Sequence, residues 1–198
     1  MAADGSLVLD RPAARVRDRF TADEFIRMLE SRVFGDSSRL ELTQGALVEM
    51  PSDGAGHSRD KGQTYFVLRN LLQGSPHLLV LQDVNTRLGP STVVAPDVAV
   101  IDRSSDRPTV ISASIVHLAI ENAWTSRDYD LNEKPALYAA GQVPELWILE
   151  AETHQLHRFH SPREGVYERD APLGLEGRIA VPFAPGESVR VSDLFDMD

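Results

Sequence analysis

Asp97, Glu121 and Lys134 are the residues whose types and spacing could do chemistry in this chain. Asp97 lies in VVAPDVAVID (93–102), Glu121 in SIVHLAIENAW (114–124) and Lys134 in RDYDLNEKPALYA (127–139). The first two segments read as strands, each carrying one acid among small or apolar residues. The lysine follows at the start of a helix. Two carboxylates on neighbouring strands can hold a divalent cation, and a nearby ammonium can orient or activate water. That ordering suits metal-dependent hydrolysis of a phosphodiester.

Strand alternation predicts that Asp97 shares a face of 93–101 with Ala95 and Ala99, opposite Val94, Val98 and Val100. Glu121 shares its face with Ala119 and His117, opposite Val116, Leu118 and Ile120. Both acids therefore have small or partly polar neighbours, which leaves room for a cation and its waters. Buried carboxylates need a cation, an arginine or a metal beside them. For either acid alone, pairing with arginine or facing solvent is equally open; the two acids with Lys134 favour the metal.

The positive charge of the chain is almost all arginine, and only Lys61 and Lys134 are lysines. A position that keeps the compact ammonium in so arginine-biased a sequence has a reason to need it. Lys134 precedes Pro135, which fits only a first helical turn, so the helix is expected to start near Asn132. A cation there meets the positive end of the helix dipole, which nearby carboxylates or a phosphate would offset. An exposed lysine paired with Asp130 or Glu133 is the competing reading. Glu41, at the start of a strand, could add a ligand from a third direction. His57, after a Gly-rich loop, could contact a phosphate or only cap a helix. His154, His157 and His160 alternate faces on a strand, which denies zinc its converging ligands. Trp147 and Tyr138 read as core, whereas Trp124, beside the acids, could pack a loop or stack on a base.

These residues need a scaffold, and the pattern supplies one. Thr21 and Glu24 form a capping box ahead of Phe25, Met28 and Leu29. RLELTQGALVEM (39–50) reads as a strand pair turning at Gln44–Gly45, PSDGAG (51–56) as a loop, and a second helix runs from His57 or Ser58 to about Leu72. Strands follow at 78–88, 93–102 and 114–123, then the helix at 132–140 ending at Gly141. PELWILEAE (144–152) is another strand, and 156–161 pairs with 165–170 as a hairpin. The tail is expected to add short edge strands at most. This order indicates a mixed α/β (α+β) domain, helices flanking a central sheet.

Composition sets the outer limits. The 198 residues, 42% hydrophobic, can build one good core, expected over 21–198 with residues 1–20 as an N-terminal arm. With no cysteine, disulfides, thiolate metal sites and cysteine nucleophiles are excluded. No apolar run reaches the length of a membrane span, and the first twenty residues lack a signal-peptide core, so a cytoplasmic protein is expected. The formal net charge of −10, without a Lys/Arg block, predicts weak, salt-sensitive DNA binding. Arg59, Arg69, Arg87, Arg103, Arg107 and Arg127 are candidates to line a local groove.

The stretches LELTQGALVEMPS with His57 after it, APDVAVID, LAIENA and YDLNEKPALYAAGQVPELWIL resemble the Uma2 family, classed with PD-(D/E)xK restriction-endonuclease-like proteins. The combination, with D-x-x-x-K-x-x-x-Y at 130–138, is far more specific than PD alone. The resemblance implies a restriction-endonuclease-like fold, a central mixed sheet flanked by helices. It implies Asp97 and Glu121 as Mg²⁺ (or Mn²⁺) ligands, the Asn122 carbonyl completing the metal shell, and Glu41 as a further acid. The motif's usual lysine position is Ala123 here, so Lys134 would fill the role from the following helix. The family usually has an apolar residue and then a polar run after the glutamate, where this chain has Asn122 and Trp124. The expected activity is metal-dependent endonuclease cleavage, in a homodimer if both strands of a duplex are to be cut. The alternatives are a catalytically inactive binding module on the same fold, and a hydrolase of small phosphoesters.

Overall fold

The computed structural model describes residues 19–35 and 39–197, so all but the last two residues of the expected N-terminal arm lie outside the described residues. Helix α1 (Ala22–Glu30) opens on the expected capping box. The Thr21 hydroxyl accepts from the Glu24 amide at 3.2 Å, and the Glu24 carboxylate accepts from the Thr21 amide at 3.0 Å. Strands β1 (Leu40–Thr43) and β2 (Ala46–Glu49) form the expected hairpin. Gln44 and Gly45 both take positive φ, as a two-residue turn of this hand requires. Helix α2 (Ala55–Leu71) begins two residues earlier than the pattern suggests, so His57 lies within its first turn.

Two expected strands are each divided between sheets. The segment 78–88 splits into β3 (Leu78–Gln82) and β4 (Thr86–Gly89), with Asp83 at positive φ between them. The segment 93–102 splits into β5 (Thr92–Val94) and β6 (Val98–Asp102) around Pro96, which has no N–H to give a ladder. Asp97 therefore stands just ahead of β6, not within one continuous strand. Val94 packs with Ala99 and Ile101, apart from Val98 and Val100, correcting the simple alternation across 93–101. Strand β7 (Ile111–Ser112) runs parallel to β4, and β8 (Val116–Ala123) carries Glu121. A helix that the pattern did not suggest, α3 (Arg127–Asn132), comes next. The helix expected over 132–140 is α4 (Lys134–Ala140), which starts two residues later, after a break at Glu133. Pro135 explains the break, because its ring nitrogen cannot donate back to the preceding turn.

Strands β9 (Glu145–Glu150), β10 (Gln155–Arg163), β11 (Val166–Arg169), β12 (Arg178–Ala180) and β13 (Ser188–Arg190) complete the chain. The main sheet has the order β11-β10-β9-β8-β6-β3, and the second β2-β1-β5-β4-β7. Only β8 and β9 run parallel in the main sheet, and α3–α4 form their crossover. One face packs Leu118, Ile120, Trp147 and Leu149 under Leu68 of α2 and Leu72 just after it. The other packs Ala119, Ala123, Leu146 and Ile148 against Leu137 and Tyr138 of α4. Ile179, Val189, Val191 and Leu194 join the core on the α2 side, and β12 and β13 pair as a separate two-stranded sheet. The tail thus adds core and a sheet of its own in place of the expected edge strands. Gly141 ends α4 as expected, but at φ −74 its need is packing: a Cβ would lie 2.9 Å from Leu88 Cβ. Among the described residues, no helix is long and apolar enough to cross a membrane.

The crossover is fastened at Glu150, the buried last residue of β9. Its carboxylate accepts from the guanidinium of Arg127, at the start of α3, and lies 2.7 Å from Nε2 of His157 on β10. Burial alone would raise this carboxyl, but Arg127 and His157 hold it down at about 2. A carboxyl with a depressed folded pKa stabilises the fold above its unfolded value and loses that contribution as pH falls through the folded value. Glu150→Gln should therefore lower the thermal midpoint by a few degrees at pH 7. The gap from wild type should narrow as pH falls below about 4.5 towards about 2; thermal denaturation across that range checks it.

Candidate functional site

The register pair Val98↔Ile120 brings the start of β6 beside the end of β8, and this is where the chemistry gathers. A cavity of about 150 Å³ opens there, lined by Glu41, Asp97, Glu121, Asn122, Asp130 and Lys134, with Arg39, His57 and Trp124 among its other walls. All five residues singled out by the sequence thus share one pocket. Glu41 comes from β1; its Oε1 accepts from the Ala95 amide at 3.0 Å, while Oε2 is buried without a hydrogen-bond partner among the described residues. Asp97 Oδ2 accepts from the Asn122 amide at 2.8 Å, which ties the two strand ends together. Glu121 accepts from the Tyr138 hydroxyl at 2.6 Å and from Lys134 Nζ at 2.8 Å. Lys134 is 3% exposed, which removes the exposed-lysine reading. It also lies 3.4 Å from Asp130 Oδ1 and 4.0 Å from Glu41 Oε1.

Three carboxylates therefore crowd around one ammonium, and a fourth, Asp97, shares the pocket. Burial pushes Glu121 up to about 8; Lys134 opposes this, and Asp97, Asp130 and Glu41 add to it. For Lys134, burial works against the charge, but Glu121, Glu41 and Asp130 outweigh it and raise the ammonium above its ordinary range. Burial, with Glu121, Glu41 and Asp97, raises the Tyr138 hydroxyl well above its usual value, so it stays a donor to Glu121. Asp130 Oδ1, like Glu41 Oε2, is buried without a hydrogen bond of good geometry. Hard oxygen donors with uncompensated negative charge, each oxygen keeping a further lone pair, fit an oxygen-seeking divalent cation. The Asn122 side-chain amide is buried and unpaired among the described residues.

A second polar group adjoins the first. Ligand atoms of Asp53, His57 and Asp97 lie within 4.8 Å of one another. His57 stands between the two acids, with Nδ1 3.2 Å from Asp53 and Nε2 3.1 Å from Asp97. Burial would lower its pKa, but the bond to Asp97 and the charges of both acids raise it. Asp53 is already neutralised by Arg39 and Lys61, and Lys61 bonds both oxygens of Asp83 at 3.0 Å. A cation bound here would have to displace two basic side chains. We therefore assign this group to holding Asp97 in place.

Asp130 and Tyr138, the ends of D-x-x-x-K-x-x-x-Y, fall four residues either side of Lys134 and both reach its surroundings; Tyr138 is core as expected and also a hydrogen-bond donor to the site. Arg39 and Asp53 carry no local signal, since long-range packing brings them in. Both lysines, Lys61 and Lys134, are buried among carboxylates, as the arginine bias suggested for Lys134. The six arginines expected at a groove are absent from this pocket's walls. Arg87 pairs with Asp23, Arg103 with backbone carbonyls and Arg127 with Glu150. His154, His157 and His160 are dispersed: His157 bonds Glu150, His160 faces Asp170 and His154 packs on Phe195.

A family model described as "Uma2: Putative restriction endonuclease" matches residues 22–192. The chain belongs to the Uma2 family. A solved structure from Anabaena variabilis, described as "a putative nuclease belonging to DUF820", aligns with a TM-score of 0.72 at 14% identity. That alignment covers 89% of this chain and 97% of the other. At such identity the likeness establishes the fold, and it agrees with the mixed α/β architecture expected of a Uma2 protein. No curated protein matches the chain.

The Lys134–Glu121 pair makes a stability prediction. Lys134→Met strands buried carboxylates and should destabilise the Uma2 fold by about 3–5 kcal/mol. Adding Glu121→Gln removes one stranded charge and should restore part of that loss. Urea denaturation of the single and double variants measures the coupling.

Proposed function

We propose that this Uma2 protein is a divalent-metal-dependent nuclease that hydrolyses phosphodiester bonds in the pocket between β1, β6, β8 and α4. The observation that carries this reading is the buried convergence of Glu121, Asp130 and Glu41 on the single ammonium of Lys134, with the buried Asp97 beside them in the same pocket. Asp97 and Glu121, with the Asn122 carbonyl, would hold Mg²⁺ or Mn²⁺. Bound there, the cation would supply Lewis-acid stabilisation of a phosphoryl oxygen and a more acidic water.

The protein's own groups have distinct tasks. Lys134 remains an ammonium, because the surrounding carboxylates raise its pKa. It therefore cannot take a proton from water; it donates hydrogen bonds that orient the attacking water and meet charge developing on the phosphoryl group. Glu41, fixed through Oε1, offers its remaining oxygen as an acceptor for that water. Tyr138 and the Asn122 amide hold Glu121 and Asp97 in their orientations. Attack by water breaks the P–O bond, leaving one phosphomonoester and one hydroxyl end.

The acidic surface weakens long-range attraction to nucleic acid, so binding should be salt-sensitive and should lean on the cation. One such site cuts one strand, so duplex cleavage on this reading belongs to a cytoplasmic homodimer. Nicking of supercoiled plasmid and cleavage of single-stranded DNA, with Mg²⁺ or Mn²⁺ at low salt, test the proposal. Wild type should cleave. The near-isosteric Asp97→Asn and Glu121→Gln should each lower the rate at least ~100-fold while remaining folded by circular dichroism. Inert wild type on every substrate, or variants that cleave equally well, would sink the catalytic reading and leave a binding module.

A further inference from the structure

Trp124 follows β8 directly and is 46% exposed, an unusual setting for an indole at the wall of a charged pocket. It is nonetheless firmly seated. Its Nε1 donates to Asp60 Oδ2 at 2.9 Å, and Asp60 is buried and fixed in turn by the Asp196 amide at 2.8 Å. The six-membered ring lies against Gly56 in the first turn of α2. A Cβ at that position would come within 2.3 Å of the ring, so only glycine admits it. Hydrogen bond and backbone contact together hold the indole against α2 with nearly half its surface left to solvent.

From this placement we infer that Trp124 is a stacking platform for an unpaired nucleobase next to the phosphate cleaved in the pocket. The inference rests on the nucleic-acid reading of the site and names its substrate class: single-stranded DNA or RNA, or unpaired stretches of a folded nucleic acid. Trp124 lies three residues beyond Glu121, roughly 10 Å along extended backbone. That span is comparable to the separation of a phosphate and the base of a neighbouring nucleotide. The pocket walls are acidic and suit a phosphate only beside a cation, whereas the neutral indole can take the uncharged face of a base. Bases inside a duplex have both faces covered by their neighbours, so a fixed indole reaches only one that is unpaired or terminal. Stacking of this kind tolerates any base, because each offers a π-face.

The test uses the two tryptophans, since Trp147 is fully buried and Trp124 reports alone on a surface ligand. Wild type with Ca²⁺, an oxygen-seeking cation, is titrated with a mixed-sequence 12-mer of single-stranded DNA, then with the same backbone made abasic. The 12-mer should quench the fluorescence and the abasic strand should not; Trp124→Phe, keeping a smaller ring, should bind with intermediate affinity and show no quenching. In Mg²⁺ cleavage assays on the 12-mer, Trp124→Ala should raise KM roughly 5- to 100-fold with a much smaller change in kcat. Equal quenching by the abasic strand, or equal KM for wild type and Trp124→Ala, would overturn the platform. If no substrate is cleaved but base-dependent quenching is seen, the nuclease reading fails while the platform stands. Cleavage with unchanged KM in Trp124→Ala has the opposite meaning.

Discussion

The buried ion pair between Lys134 and Glu121 is the interaction on which the rest of the arrangement depends. An ammonium and a carboxylate removed from water are stable only with close mutual contact and further hydrogen bonds. Here Tyr138 supplies one, and Asp130 and Glu41 surround the ammonium. The pair joins β8 to α4, the two elements that must stay in register if Asp97 and Glu121 are to share a pocket. The cluster around it holds more acid than base, an imbalance that a bound cation would offset.

The backbone serves the same end by interruption. Pro96 stops the ladder just before Asp97, so that side chain stands at the mouth of the sheet instead of lying within it. Pro135 breaks the crossover at Glu133, which starts α4 with Lys134 in its first turn and lets the ammonium turn inward. Glu150 then fastens the crossover to the sheet through Arg127 and His157. On the opposite face, Gly56 and Asp60 of α2 hold Trp124 at the pocket wall. Both faces of the sheet thus contribute to one opening.

Much of this was legible in the sequence, and the reasons are local. Capping at Thr21–Glu24, the Gln44–Gly45 turn and the alternation of 118–123 are set by neighbours along the chain, so pattern alone locates them. A register shift against β6, by contrast, puts Val116 with Ala119 and not, as expected, with Leu118. Asp97 and Glu121 stood out because each is a charge among apolar or small residues, and Lys134 because lysine is rare in so arginine-biased a chain. The divisions at 83–85 and 95–97 were harder, since a continuous apolar run looks the same whether one sheet or two receive it. Arg39, Asp53 and Asp83 meet Lys61 and Asp97 only through tertiary packing, and no spacing along the chain announces them. Trp124 was visible as an anomaly, but its seat on Gly56 required the fold.

The most direct measurement is anomalous scattering from crystals soaked in Mn²⁺. The account predicts one strong peak between the carboxylates of Asp97 and Glu121, lost in Asp97→Asn. A peak on Asp53 and His57 instead, or none near Glu121 at saturating Mn²⁺, would contradict it.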